Sequence, residues 1–139
     1  MTMPLTYKAA NLFLDHLVGT DLIEGRGTSV HIGLSSTAPN RDGSGYTEPA
    51  AATGYARVGI GKNTNLQCME KAKSGAATNE STIFFPEAMA SWGKLTYYLL
   101  FDAEKDGNLL AYGPLDDPIS PEKGKVPIIR PGNLTMTMR

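Results

Sequence analysis

Two strand-like runs, residues 95–101 and 108–112, flank the polar segment 102–107, which ends in Asp106-Gly107. Asp-Gly between such runs is turn chemistry, because Gly enters positive φ without a Cβ clash and Asp tolerates the position before it. A β-hairpin is therefore predicted, and it lies inside residues 82–115, which also carry the single tryptophan, Trp92. Alternation along the first run sets Leu95, Tyr97, Leu99 and Phe101 on one face, a pattern suited to a sandwich interior. Trp92 and Gly93 then form the corner feeding the central strand, so Trp92 and the four alternating residues are expected to be scaffold core.

Around this hairpin the chain offers one helix and several short strands. Residues 6–18 read as the helix: Tyr7, Ala10, Leu14 and Leu17 recur on one face, Thr6 suits the N-cap and Gly19 the left-handed position past the end. Its apolar face is expected to cover one end of a β-core. In 30–35, Val30, Ile32 and Leu34 alternate with His31 and Gly33, giving a strand with one buried face. Residues 37–53 form a long loop rich in Pro, Asn, Asp, Gly and Ser, and loops of that length are often functional. Further strands are expected at 55–60, weakly at 66–69, and at 81–85. An exposed loop is expected over 71–79 and a short helical turn within 86–93. Pro114, Pro118 and Pro121 predict an extended, irregular path after the hairpin. Turns follow at 122–124 and at Pro131-Gly132, with an edge strand at 126–129 and a closing strand at 134–138. The expected fold is mainly β: one antiparallel, jelly-roll-like β-sandwich domain over residues 1–139, with an N-terminal helix at about 6–18 and strands from about 29 to 138.

The chemistry of the chain excludes more than it offers. With 139 residues and net charge −1, it carries no basic stripe to neutralise phosphates, so no nucleic-acid partner is expected. No apolar run reaches the ~20 residues of a membrane span, and no membrane partner is expected. The start lacks a signal-peptide pattern, which points to synthesis in a cytoplasm. One cysteine, Cys68, excludes an internal disulfide and a multi-cysteine zinc site. His16 and His31 fall in no metal-ligand spacing, and neither GxSxG nor SxxK occurs. Asp116-Asp117 with Glu48 or Glu87 would pair carboxylates, but their Pro and Gly neighbours fit solvated turns, and Asp42 with loop carbonyls offers a weak calcium-type set. Asn79-Glu80-Ser81 matches the glycosylation triplet, which means nothing without a secretory route. No catalytic set emerges, and neither enzyme activity, metal nor cofactor is expected.

Four stretches then act together as a set: residues 12–20 (LFLDHLVGT), 30–60 with VHIGLSSTAP and GYARVGI, 83–115 with FFPEAMASWG and FDAEKDGNLLAYG, and 130–138 (RPGNLTMTM). In this order they resemble a family of small tailed-bacteriophage virion structural proteins, of head-decoration or tail-fibre-like kind. The resemblance implies a protein of the virion, made in the host cytoplasm, that binds the major capsid protein or other virion proteins. A homo-dimer or homo-trimer is the expected assembly. A fibre shaft would need repeats or heptads, and none is present, so the leading expectation is a capsid cement or decoration protein that stabilises the assembled shell. The alternatives are a tail-tip or tail-fibre-associated protein, and a carbohydrate-binding adhesion module using Trp92, Tyr97 or Tyr98. The expected partner contacts lie in the loops: Arg41, Asp42, Tyr46, Glu48, Lys71 and Lys73.

Overall fold

A computed structural model describes residues 5–18, 30–60, 74, 76–79 and 81–137. Cys68, Lys71, Lys73, Gly19 and the strand expected at 66–69 lie outside them. The described chain is mainly β, with antiparallel sheets and one helix near the N-terminus. The helix α1 spans Tyr7–Val18, followed by β1 (His31–Ser35), a single 3-10 turn (Ala51–Thr53), β2 (Val58–Gly59), β3 (Ala76–Thr78) and β4 (Ile83–Phe84). The hairpin strands β5 (Leu95–Phe101) and β6 (Leu109–Ile119) come next, then β7 (Ile128–Ile129) and β8 (Thr135–Thr137). One four-stranded sheet runs β2-β1-β5-β6, and two short ladders pair β3 with β8 and β4 with β7. This order is compatible with the jelly-roll-like sandwich.

The hairpin closes as its turn chemistry dictates. Asp106 and Gly107 both take positive φ, at 53° and 74°. Asn108 donates its backbone N–H (2.7 Å) and its side-chain amide (2.9 Å) to the Asp102 carboxylate, and Asp102 N–H reaches Asn108 O at 3.2 Å. Beyond the expected end at 112, β6 continues to Ile119 through Pro114 and Pro118. The prolines are tolerated because β6 is the outer strand of its sheet and its register breaks between Leu95↔Ile119 and Tyr97↔Pro114. An edge strand with a bulge can leave backbone donors out of the ladder, which is all a proline demands.

That same register break overturns the expected single face of β5. Leu95, Tyr98 and Leu100 point into the main core with Ile32 and Leu34 of β1, whereas Leu99 and Phe101 join Leu109 in a second, smaller cluster on the opposite face. From Leu95↔Ile119 to Tyr97↔Pro114 the register shifts by three residues, and an odd shift reverses the side chains beyond it. Trp92, Leu95, Leu99 and Phe101 are all buried and Tyr97 is half-buried, but they serve two faces. The main core also takes Ile83, Phe85, Ile129 and Leu134, so the short ladders and the four-stranded sheet share one apolar interior.

Three further expectations give way. Residues 86–93 form no helical turn. Ala88 N–H instead bonds Lys125 O (2.8 Å) and Trp92 N–H bonds Pro121 O (3.0 Å), tying the segment to the 121–125 turn. Ala76–Thr78 is a strand rather than exposed loop, because it finds Thr135–Thr137 as a partner. Most consequential, α1 lies against β6 but buries Ala9 and half-buries Leu12, leaving Tyr7, Leu14 and Leu17 exposed. Small side chains on the sheet side let the helix approach closely, and its entry is fixed at the N-terminus. There Leu5 bridges Ala111, Thr6 N–H reaches Leu110 O at 2.9 Å, and Thr6 Oγ1 donates to Leu109 O at 2.6 Å while accepting from Ala9 N–H at 3.2 Å. Thr6 thus caps the helix as expected and anchors it to the sheet.

Candidate functional site

The loop expected to carry contacts is held from beneath by a buried polar hub. Tyr55 and Arg57 stand two residues apart just before β2, so an extended chain sends both side chains the same way. Both meet Glu48 of the long loop. Arg57 donates Nε to Glu48 Oε2 (3.0 Å) and Nη2 to Oε1 (2.8 Å), a bidentate pair, and Tyr55 donates its hydroxyl to Oε2 at 2.5 Å. The hydroxyl in turn accepts the Leu34 N–H at 3.0 Å, where β2 has ended and β1 would otherwise expose a donor. Arg57 Nη1 continues to the carbonyls of Ala103 (3.1 Å) and Asp106 (2.8 Å), and its guanidinium lies 3.4 Å from the Phe101 ring centroid. One cation therefore ties loop, strand and hairpin turn together.

Space for this hub comes from a glycine. A Cβ at Gly33 would stand 2.6 Å from the Tyr55 hydroxyl and 3.0 Å from Glu48 Oε2, so the cluster sits directly on the β1 backbone. The hub's charges are little exposed: the side chains of Arg57 and Glu48 keep 6% and 17% of their surface. Burial pushes the Tyr55 phenol well up, and the Glu48 carboxylate beside it pushes further in the same direction. For Arg57, burial opposes the charge, but the Glu48 hydrogen bonds and charge outweigh it and raise the guanidinium above its ordinary value. Glu48 therefore serves as an internal brace. Burial is the reason: both carboxylate oxygens are already committed. Tyr46 is likewise turned inward, packing edge-on against Phe101 at 5.4 Å between centroids.

What the hub presents is the loop tip. Arg41 and Asp42 are exposed there. Asp42 Oδ1 accepts both the N–H (2.9 Å) and the hydroxyl (2.6 Å) of Ser44, which holds its carboxyl below the usual carboxylate range. Asn40 N–H bonds Ser44 O (2.8 Å) and Gly43 N–H bonds Asn40 O (3.0 Å), so the tip is closed on itself. Arg41 leans toward the helix: Nε donates to Leu5 O at 3.2 Å, the guanidinium sits 5.2 Å from the Tyr7 ring centroid, and Tyr7 N–H reaches Arg41 O at 2.9 Å. Loop tip and helix start are thus one continuous surface. Lys71 and Lys73 lie outside the described residues, so the structure places only the first four of the six expected contacts.

Among the described residues, no group of three or more His, Cys, Asp or Glu is placed to hold a metal ion. Trp92 and Tyr98 are buried, so the exposed aromatic platform a sugar would need is not formed by them. Trp92 spends its indole N–H on Thr53 O (2.9 Å) and packs edge-on against Tyr55 and Phe85. Asn79 is buried and its amide nitrogen already serves Ser81 O (3.0 Å) and Arg130 O (2.9 Å), so the triplet it begins is a structural site. Among the described residues, no helix is long and apolar enough to cross a membrane. Sequence reasoning missed Arg57; the Tyr55-Ala56-Arg57 alternation, with two polar-tipped side chains on one face of a strand, was the available signal.

The described residues thus form a β-rich unit with antiparallel sheets, a braced loop and a helix pinned to the sheet edge. The family model described as Podophage GP4 fiber I protein gp80 matches residues 4–137, nearly the whole chain, and the chain belongs to that family. It is therefore a bacteriophage virion structural protein, tail-fibre-like in kind, whose partners are other virion proteins. No curated protein matches the chain.

Proposed function

We propose that this chain is a tail-fibre-associated structural protein of the virion and that it works by contact, without catalysis. The family match over residues 4–137 carries the reading, since it is to a fibre protein and not to a shell protein. It displaces the capsid-cement expectation, which rested on the lack of shaft repeats. That lack argues only against a shaft: a compact β unit can stand at the base or end of a fibre as well as on a shell. The loop tip at Arg41 and Asp42 is the contact surface in this reading. Its internal hydrogen bonds and the hub beneath it support that, because a preorganised loop loses little entropy when it docks.

Locating the protein on purified particles by cryo-electron microscopy tests the proposal. Density confined to the tail, with few copies per particle, is the expected result. Density spread over the shell would overturn it. Arg41→Ala with Asp42→Ala should lower incorporation into particles while leaving the isolated protein folded, because both side chains are exposed.

A further inference from the structure

The helix α1 is turned the wrong way round for a simple lid. Its sheet side holds Ala9 and Leu12, and its outer side holds Tyr7 (58% exposed), Phe13 (47%), Leu14 (57%), Leu17 (79%) and Val18 (68%). At 100° per residue these five fall within an arc of about 140°, one continuous apolar stripe along the helix. Exposed apolar side chains scattered singly need no explanation, but a stripe of several hundred Å² marks a binding face. The helix cannot roll to bury it, because Leu5, Thr6 and Tyr7 are pinned to β6 and to Arg41.

We infer that this stripe is the contact between copies of the chain: α1 of one protomer packs on α1 of another. The five side chains present on the order of 600 Å² of mostly apolar surface, and a standard interface covers ~800 Å² per partner, so flanking residues such as Asn11 and Arg41 would complete it. The stripe holds no charged residue, since Lys8 and Asp15 lie off it, so nothing in it selects a partner of opposite charge. An uncharged stripe along a helix of about 18 Å is complementary to itself when two copies meet about a symmetry axis. A second outward apolar pair, Phe84 and Ile128 across the β4–β7 ladder, is smaller and serves as the control surface. The inference stands on α1 alone and does not rest on the fibre reading.

The test is the mass of the full chain in solution by sedimentation velocity or light scattering across a concentration series. The wild type is expected to run as a multiple of 14.9 kDa. Leu14→Asp combined with Leu17→Asp should weaken association at least tenfold with circular dichroism unchanged, whereas Phe84→Asp should leave the mass as it was. If the double variant loses its fold, Leu17→Gln alone decides, because that side chain is the most exposed of the five, and it should weaken association several-fold. A wild type that stays monomeric to roughly 100 µM overturns the inference, and leaves the location of the protein on the particle untouched. So does an oligomer that survives the helix substitutions, or one that Phe84→Asp dissociates.

Discussion

The ring of Tyr98 occupies the space beside Gly113, its cross-strand partner on β6. A Cβ at Gly113 would stand 2.6 Å from the hydroxyl and 2.7 Å from two ring carbons. The aromatic thus fills the space that a side chain opposite would need, and both residues are buried. Gly113→Ala should therefore destabilise the protein by about 2 kcal/mol through overpacking, read as a lower denaturant midpoint. In the Tyr98→Leu background the same substitution should cost clearly less. Equal costs in both backgrounds would mean that the ring is not what excludes the methyl group.

Tyr98 also sets an alkaline limit. Burial, with a smaller contribution from the Asp116 charge, pushes its phenol up to about 12. In the unfolded chain a tyrosine ionises near ~10. A folded-state value raised above the unfolded one means that the stabilisation is fully present below pH 10 and is lost as pH rises toward 12. The loss reaches on the order of 2 kcal/mol by pH 12. Tyr55 shifts in the same direction. Melting temperature should accordingly fall above pH 10, and Tyr98→Phe should flatten that fall.

Removing one partner of the hub should cost more than either surface substitution. Arg57→Ala leaves the Glu48 carboxylate beneath the loop with only the Tyr55 hydroxyl, and strips the donor from the Ala103 and Asp106 carbonyls. A loss of about 3 kcal/mol is expected. Proteolysis should then cut first within 37–53, since that loop loses its brace. Arg57→Lys should recover little, because an ammonium cannot make the bidentate contact.

Asn79 serves as a second brace at the other end of the core. Its Oδ1 accepts the N–H groups of Gly132 (3.1 Å) and Leu134 (3.0 Å), while its amide donates to Ser81 and Arg130. Asn79→Ala should cost about 3 kcal/mol by leaving the buried Leu134 N–H unpaired and stripping the donor from the Ser81 and Arg130 carbonyls. Asn79→Asp should be worse at neutral pH than at pH 4, because a carboxylate sets negative oxygens against two carbonyls. Chemical denaturation at the two pH values reads the difference.

What the sequence made legible was local. Asp106-Gly107, Pro131-Gly132 and the Thr6 cap each act through neighbours within a few residues, and each took the form its chemistry predicted. The alternation of Val30, Ile32 and Leu34 likewise named the core face of β1, with Ile32 and Leu34 fully buried and Val30 packed alongside. What escaped depended on distant partners. Ala76–Thr78 has weak strand propensity and becomes a strand only because Thr135–Thr137 lies beside it. The bulge that separates Leu95 from Tyr97 is set by how β6 runs past, and no local signal announces it. The helix departs for a different reason: an apolar stripe by itself does not say which body it faces, and the small Ala9 is the residue that fits against the sheet. At the candidate site, length and composition mark the loop, but only Arg57 and Phe101 beside them show that Glu48 and Tyr46 face inward.

Trp92 gives the molecule an optical reporter of its own. Being the single tryptophan, it is the chain's only indole emitter, and it sits where three seams meet: its ring N–H on Thr53, its backbone on Pro121, its ring in T-shaped contact with Tyr55 and Phe85. Any docking event that draws the end of the long loop away from the body must first wet that indole, and its fluorescence would shift to the red without a label having been attached.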